Sequence, residues 1–236
     1  MQLLTSSRFA QGPVVKILVG AESKPFFVHE SILCHKSPYF QKCLAEGIAG
    51  SEVDLRHVNV EGFGHVVEYM YTGRLPKGVM EQYEGNEDSY KGNESESKSQ
   101  SALAYKAADQ LLMRDFQNEL LDWELDDCIL RKACFELDSV KEAHDLGLTH
   151  TPWYTMVLRS CIPWFMTRKS KVPKTFYEML PTLKVYPDAM VDVMQLMVEK
   201  HSKKEWKEPT DYERCTYHIH PEGSLKKCAG DDVMED

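Results

Sequence analysis

The sequence has no apolar run approaching the ~18 residues of a membrane-spanning helix, so no membrane partner is expected. Its opening stretch, MQLLTSSRFAQGP, lacks the basic start and sustained apolar core of a secretory signal. It also lacks a basic excess. Lys and Arg number 28 against 37 Asp and Glu, for a net charge of −9. A nucleic-acid partner is therefore not expected, because phosphate neutralisation needs a positive surface. The seven cysteines are odd in number and follow no disulfide framework. Without a secretion signal they read as reduced thiols, which points to the cytoplasm or nucleus. No internal repeat is visible.

What is present is the composition of a soluble globular chain, 42% hydrophobic and 28% charged over 236 residues. VVKILVG (14–20) is a β-branched run ending in glycine and predicts a strand. AESK then reads as a hairpin turn, and PFFVH as the return strand with Pro25 at its tolerated first position. ESILCHK predicts a short helix. Ser37-Pro38 then opens another, a hydroxyl cap followed by a residue with pre-set φ. A short strand is expected around 53–56.

In EGFGHVVEYMYTG, residues Phe63, Val66, Val67, Met70 and Tyr71 recur at helical spacing and Gly73 stands where a C-terminal cap belongs. Residues 82–100 are acidic and polar with no aliphatic side chain, and are expected to form a disordered loop. Two helices follow, meeting near Arg114-Asp115, with Leu103, Ala107 and Leu111 as one apolar stripe and Phe116, Leu120 and Leu121 as another. From 126 onward SVKEAHDLG predicts a helix stopped by Gly147, and Pro163 is expected to kink or end WYTMVLRSCIPWFM. PDAMVDVMQLMVEKH predicts an amphipathic helix through Met190, Val193, Met194, Met197 and Val198. Its apolar face reads as core, with an adaptable binding face as the alternative.

The reactive-looking groups read mostly as packing. Cys34 and His35 are neighbours, so a helix turns them about 100° apart and away from a shared ion. Cys43 lies on an apolar stripe, and neither a glycine-rich oxyanion turn nor an orienting third residue accompanies the thiols. The weak metal candidates are Cys215, His218, His220 and Cys228 in the tail, which the sequence reads as surface side chains of a loose segment. No cofactor and no catalytic residue are expected.

The order strand, strand, helix pair, strand, helix, helix pair resembles the BTB (POZ) domain, an α+β interaction module. The residues that carry the resemblance are VVKILVG, FFVHESILCHKSPYFQKCL, VDL, the helix closing on EYMYTG, and AYKAADQLLM. The overall style is similar to stand-alone fungal BTB proteins. The resemblance implies a BTB/POZ fold over 12–124, with a small sheet, helical hairpins and 82–100 as an acidic insertion. A helical C-terminal region over 126–205 and a polar tail over 206–236 would follow.

It further implies a non-enzymatic protein–protein interaction module acting through the exposed faces of the helices around 61–73 and 102–124. Some relatives adapt substrates to cullin-type ubiquitin ligases through a hydrophobic–x–Glu step, which Val79-Met80-Glu81 repeats here. The expected partner-binding residues are Val79, Glu81, Tyr71 and Phe116. A homodimer, a hetero-oligomeric scaffold and a transcription-associated role are the alternatives, with a zinc-dependent module on the tail behind them. In repressor-type relatives an aspartate and a basic residue line a corepressor groove. Here Val14 or Val15 and Glu30 stand in those places, so that groove is not expected.

Overall fold

A computed structural model of the chain describes residues 12–45, 52–80, 99–131, 137–166, 186–188, 191–192, 194–196, 198 and 214–220. The chain divides into two compact units, Met1–Leu120 and Leu121–Asp236.

The first unit holds a three-stranded sheet in the order β2-β1-β3. Strands β1 (Val14–Val19) and β2 (Lys24–His29) form the expected antiparallel hairpin, and β3 (Glu52–Leu55) pairs parallel with β1. Alternation decides which side is core. Val15, Ile17, Val19, Val28, Val53 and Leu55 are buried on the inner face. Val14, Lys16, Leu18, Pro25, Phe27, His29, Glu52 and Asp54 alternate with them onto the outer face.

After β2 come α1 (Glu30–Lys36) and α2 (Pro38–Ala45). Ser37 caps α2 as its position before proline predicts: its Oγ accepts the Phe40 N–H at 3.3 Å. The long helix α3 (Val60–Thr72) starts at Asn59, whose side chain accepts the Gly62 N–H at 2.9 Å. It ends at Gly73, which takes the left-handed φ of 64° that the sequence assigns it. A short turn of helix, α4 (Lys77–Met80), follows.

Helix α5 (Gln100–Gln110) is the central element of the unit. Ser101 through Tyr105, Ala107 and Ala108 are all buried, so of the face expected over 102–124 this helix leaves only Lys106, Asp109 and Gln110 part-exposed. Small side chains make this arrangement possible. A Cβ added to Gly62 of α3 would stand 2.4 Å from the Leu103 carbonyl oxygen, so glycine is what lets the two helices approach. Ser99 caps α5 and Gln100 starts it, so these two residues leave the expected 82–100 loop. The rest of that loop, together with Glu81, lies outside the described residues. Leu112, at φ 56°, turns the chain into α6 (Arg114–Arg131).

In the second unit α7 (Leu137–Asp145) stops at Gly147, φ 66°, as expected, and α8 (Pro152–Met166) packs with it. Helix α8 continues past Pro163 to Met166, so the proline does not end it. One lost N–H removes one bond of the ladder, and the neighbouring turns carry the helix on. Val140, Ala143, Leu148, Trp153, Met156 and Val157 form the core of this unit. Polar links join the later segment to it. The Tyr154 hydroxyl donates to Asp192 at 2.9 Å and lies 2.9 Å from His144 Nε2. Each described position between 187 and 198 is helical, but Val191, Met194 and Val198 are exposed, which corrects the core reading for Met194 and Val198. Met190, Val193 and Met197 lie outside the description.

Candidate protein-interaction surface

Tyr71 stands in the last turn of α3, 40% exposed. Its hydroxyl oxygen accepts the backbone N–H of His29 at 3.2 Å and lies 2.8 Å from His29 Nδ1, and the two rings meet edge to face at 6.0 Å. The phenol thus fixes the junction between β2 and α1 while keeping part of its ring in solvent.

The other candidates are placed differently. Phe116 is fully buried, stacked on Tyr69 with ring centroids 4.1 Å apart and planes 15° from parallel. Val79 is also fully buried on α4, where its N–H bonds the Pro76 carbonyl at 3.1 Å. Neither side chain is available to a partner as the unit stands, which corrects their reading as direct contacts. They hold α6 and α4 in place from beneath. Glu81 lies outside the described residues. A sequence shows that Val79 and Phe116 are apolar, and apolar residues serve a core and an interface equally well.

Around Tyr69 the unit builds a buried polar contact. Burial and the neighbouring Glu119 carboxylate push the Tyr69 phenol far above its ordinary pKa, and the Lys36 ammonium stands 5.7 Å above its ring. On the outer sheet face Lys16 pairs with Glu52 at 2.7 Å and Arg56 with Asp54 at 2.8 Å. Beside these self-neutralised charges stand Phe27, 65% exposed, and Val14, 47% exposed. The sequence carried a signal for this patch. Phe26 and Phe27 are neighbours on one strand, so they must face opposite sides, and only Phe26 finds a core partner, the Phe63 ring at 5.0 Å.

The hydrogen-bond pattern of β2 closes much of its free edge. Glu30 N–H donates to the Pro13 carbonyl at 3.0 Å, which sets the alternation along the hairpin. Val15↔Val28, Ile17↔Phe26 and Val19↔Lys24 then exchange bonds, and the amides of Pro25, Phe27 and His29 face outward. Pro25 has no N–H, and that of His29 is taken by Tyr71.

The cysteine and histidine groups do not converge in the hairpin region. His29 is bound to Tyr71, His35 is exposed, and Cys34 and Cys43 are half-buried free thiols. Burial first, and the Glu30 charge second, push the Cys34 thiol up. In the tail Cys215 Sγ and His220 Nε2 come within 3.2 Å, whereas His218 Nε2 turns to Asp122 Oδ1 at 2.9 Å. Between them Tyr217 is fully buried with the Arg159 guanidinium 5.5 Å above its ring. Residues 215 and 217–220 are therefore packed about Tyr217, with Thr216 exposed, where the sequence suggests a loose segment. Cys228 lies outside the described residues, and among those described no three His, Cys, Asp or Glu side chains form a metal-holding group. No described helix is long and apolar enough to cross a membrane.

Comparison with known proteins adds three likenesses. The human Kelch-like protein 31 is 34% identical over 59 residues, which cover 25% of this chain and 9% of that protein. Mouse zinc finger and BTB domain-containing protein 41 is 31% identical over 75 residues, covering 32% of this chain and 8% of that protein. The matches thus span less than a tenth of these relatives' lengths. The solved BTB (Tramtrack and Bric a brac) domain of human Gigaxonin aligns at 19% identity with a TM-score of 0.35, over 50% of this chain and 82% of that one. Residues 9–119 match the BTB/POZ domain family, and together with the sheet and helices described above they make this part of the chain a BTB/POZ domain, a protein-interaction module.

Proposed function

We propose that the chain is a non-enzymatic interaction protein, whose BTB/POZ half docks on a cullin-type ubiquitin-ligase scaffold and whose remainder selects a second protein. The observation that carries the reading is the BTB/POZ domain itself, spanning residues 9–119. The exposed part of Tyr71 at the end of α3 and the Glu81 that follows α4 are the contacts, and Val79 and Phe116 act by holding those helices. A cytoplasmic or nuclear location goes with this role, and Cys34, Cys43, Cys128 and Cys215, which form no disulfide, suit a reducing compartment. The test is binding of the full chain to a purified cullin N-terminal region. Loss of binding in Tyr71→Ala with Glu81→Ala supports the adaptor role, and absence of binding in the native chain removes it.

The second reading is an oligomerising scaffold without a ligase. The full burial of Val79 favours it, because this apolar side chain is withdrawn from the surface where an adaptor would use it.

A further inference from the structure

Cys34, Cys43 and Cys215 meet three different neighbours. Cys34 stands near the Glu30 carboxylate, whose charge works against a thiolate. Cys43 bonds the Tyr39 phenol, a group that keeps its own proton at neutral pH. Cys215 meets a base: its Sγ lies 3.2 Å from Nε2 of His220. At that separation no water fits between sulfur and nitrogen, so a proton can pass directly from one to the other.

The local structure of the second unit holds this pair together. Cys215 belongs to a single 3-10 turn, Arg214–Thr216, and its carbonyl accepts the His218 N–H at 3.4 Å. Tyr217 is fully buried, with the Arg159 guanidinium of α8 over its ring. His218 is committed to Asp122 of α6. Two side chains between Cys215 and His220 are thus anchored, so thiol and imidazole meet before any reagent arrives. Cys215 and His220 are themselves only half-buried, which leaves the pair within reach of a small molecule.

We infer that Cys215 and His220 form a nucleophilic pair, a modification site for soft electrophiles of the α,β-unsaturated carbonyl class. As the reagent approaches, the Cys215 S–H proton moves to His220 Nε2. The sulfur electron pair forms an S–C bond to the β-carbon, and the C=C π pair shifts toward the carbonyl as an enolate. His220 then gives its proton to the α-carbon, which leaves a thioether and a neutral imidazole. No oxidant, reductant or leaving group is required. The reaction is stoichiometric, one adduct per chain, and so is compatible with a non-enzymatic interaction protein. An ordinary thiol is only about one-tenth thiolate at pH 7.5, so an imidazole that takes the proton can speed attack by up to about tenfold.

The experiment treats the full chain at pH 7.5 with N-ethylmaleimide, an α,β-unsaturated imide, and follows each cysteine by timed quenching, digestion and mass spectrometry. Cys215 is expected to label about three- to tenfold faster than N-acetylcysteine under the same conditions, and faster still than Cys34. His220→Gln removes the base and is expected to slow Cys215 by about threefold or more while Cys34 keeps its rate. This variant reads the base and not the packing, because a turn that merely loosened would expose the thiol and label faster. Labelling of native Cys215 no faster than N-acetylcysteine overturns the proposal. So does a His220→Gln chain whose Cys215 reacts as fast as that of the native chain.

Discussion

Ser37 Oγ donates a 2.7 Å hydrogen bond to the carbonyl oxygen of Leu111, at the far end of α5, while accepting the N–H of Phe40 at the start of α2. One buried hydroxyl therefore satisfies the first turn of one helix and the last turn of another. Ser37→Ala leaves a buried carbonyl and a helix start unsatisfied together. The expected cost is about 2–4 kcal/mol, read as a lower urea midpoint with the denaturant slope unchanged.

The two glycines of α3 should respond oppositely to alanine. At Gly62 a Cβ meets the Leu103 carbonyl oxygen at 2.4 Å, whereas at Gly64 nothing lies within 4 Å. Gly62→Ala is expected to destabilise by about 1–3 kcal/mol or more as α3 and α5 are forced apart. Gly64→Ala is expected to stabilise by roughly 0.5–1 kcal/mol through backbone entropy. Thermal melts of the two variants beside the wild type check both signs.

Tyr69 makes the BTB/POZ unit sensitive to alkali. Burial and Glu119 raise its phenol above the ordinary value of 10.0, so the folded state holds this proton more tightly than the unfolded chain. The sign follows: the contribution is complete below pH 10 and is lost as pH rises beyond it. Tyr69→Phe is expected to flatten the alkaline limb of a stability–pH curve measured between pH 8 and 11.5, while lowering stability near neutrality by the loss of the Glu119 bond. An unchanged alkaline limb would assign the sensitivity to another group.

Cys34 should be a slow thiol. Its raised pKa leaves less thiolate at neutral pH than a free cysteine has, and Glu30 contributes to that shift. Iodoacetamide labelling followed by mass spectrometry is expected to show modification of Cys34 slower than of a model thiol at pH 7.5. Glu30→Gln should hasten it. Labelling as fast as the model thiol would reverse this reading.

Local chemistry made much of the fold legible. Ser37-Pro38, the Phe63–Val66–Met70 period and Gly73 each announce an element through residues that act within one or two turns. The parallel pairing of Val53 with Ile17 was not legible, because nothing within either strand names a partner so far along the chain. Neither was the burial of so much of α5. Ala102, Ala104 and Ala108 are small enough to pack on any side, so periodicity marks only the stripe through Leu103, Ala107 and Leu111. Tyr71 was singled out from the sequence and is part-exposed, whereas Phe27 was missed although its neighbour Phe26 on the same strand must face the other way and fills the core place. The tail candidates separated because Asp122, remote in sequence, engages His218.

The Tyr71 hydroxyl on the His29 amide also bears on how the protein survives crowding. An open strand edge invites templated stacking into fibrils, and the hazard grows as molecules are concentrated on a shared assembly. With a proline at one position and a phenol over another, β2 leaves a newcomer a single N–H, that of Phe27. The same tyrosine that faces outward thus acts as a gatekeeper. A change to phenylalanine would alter shelf life and colloidal behaviour before it altered the fold.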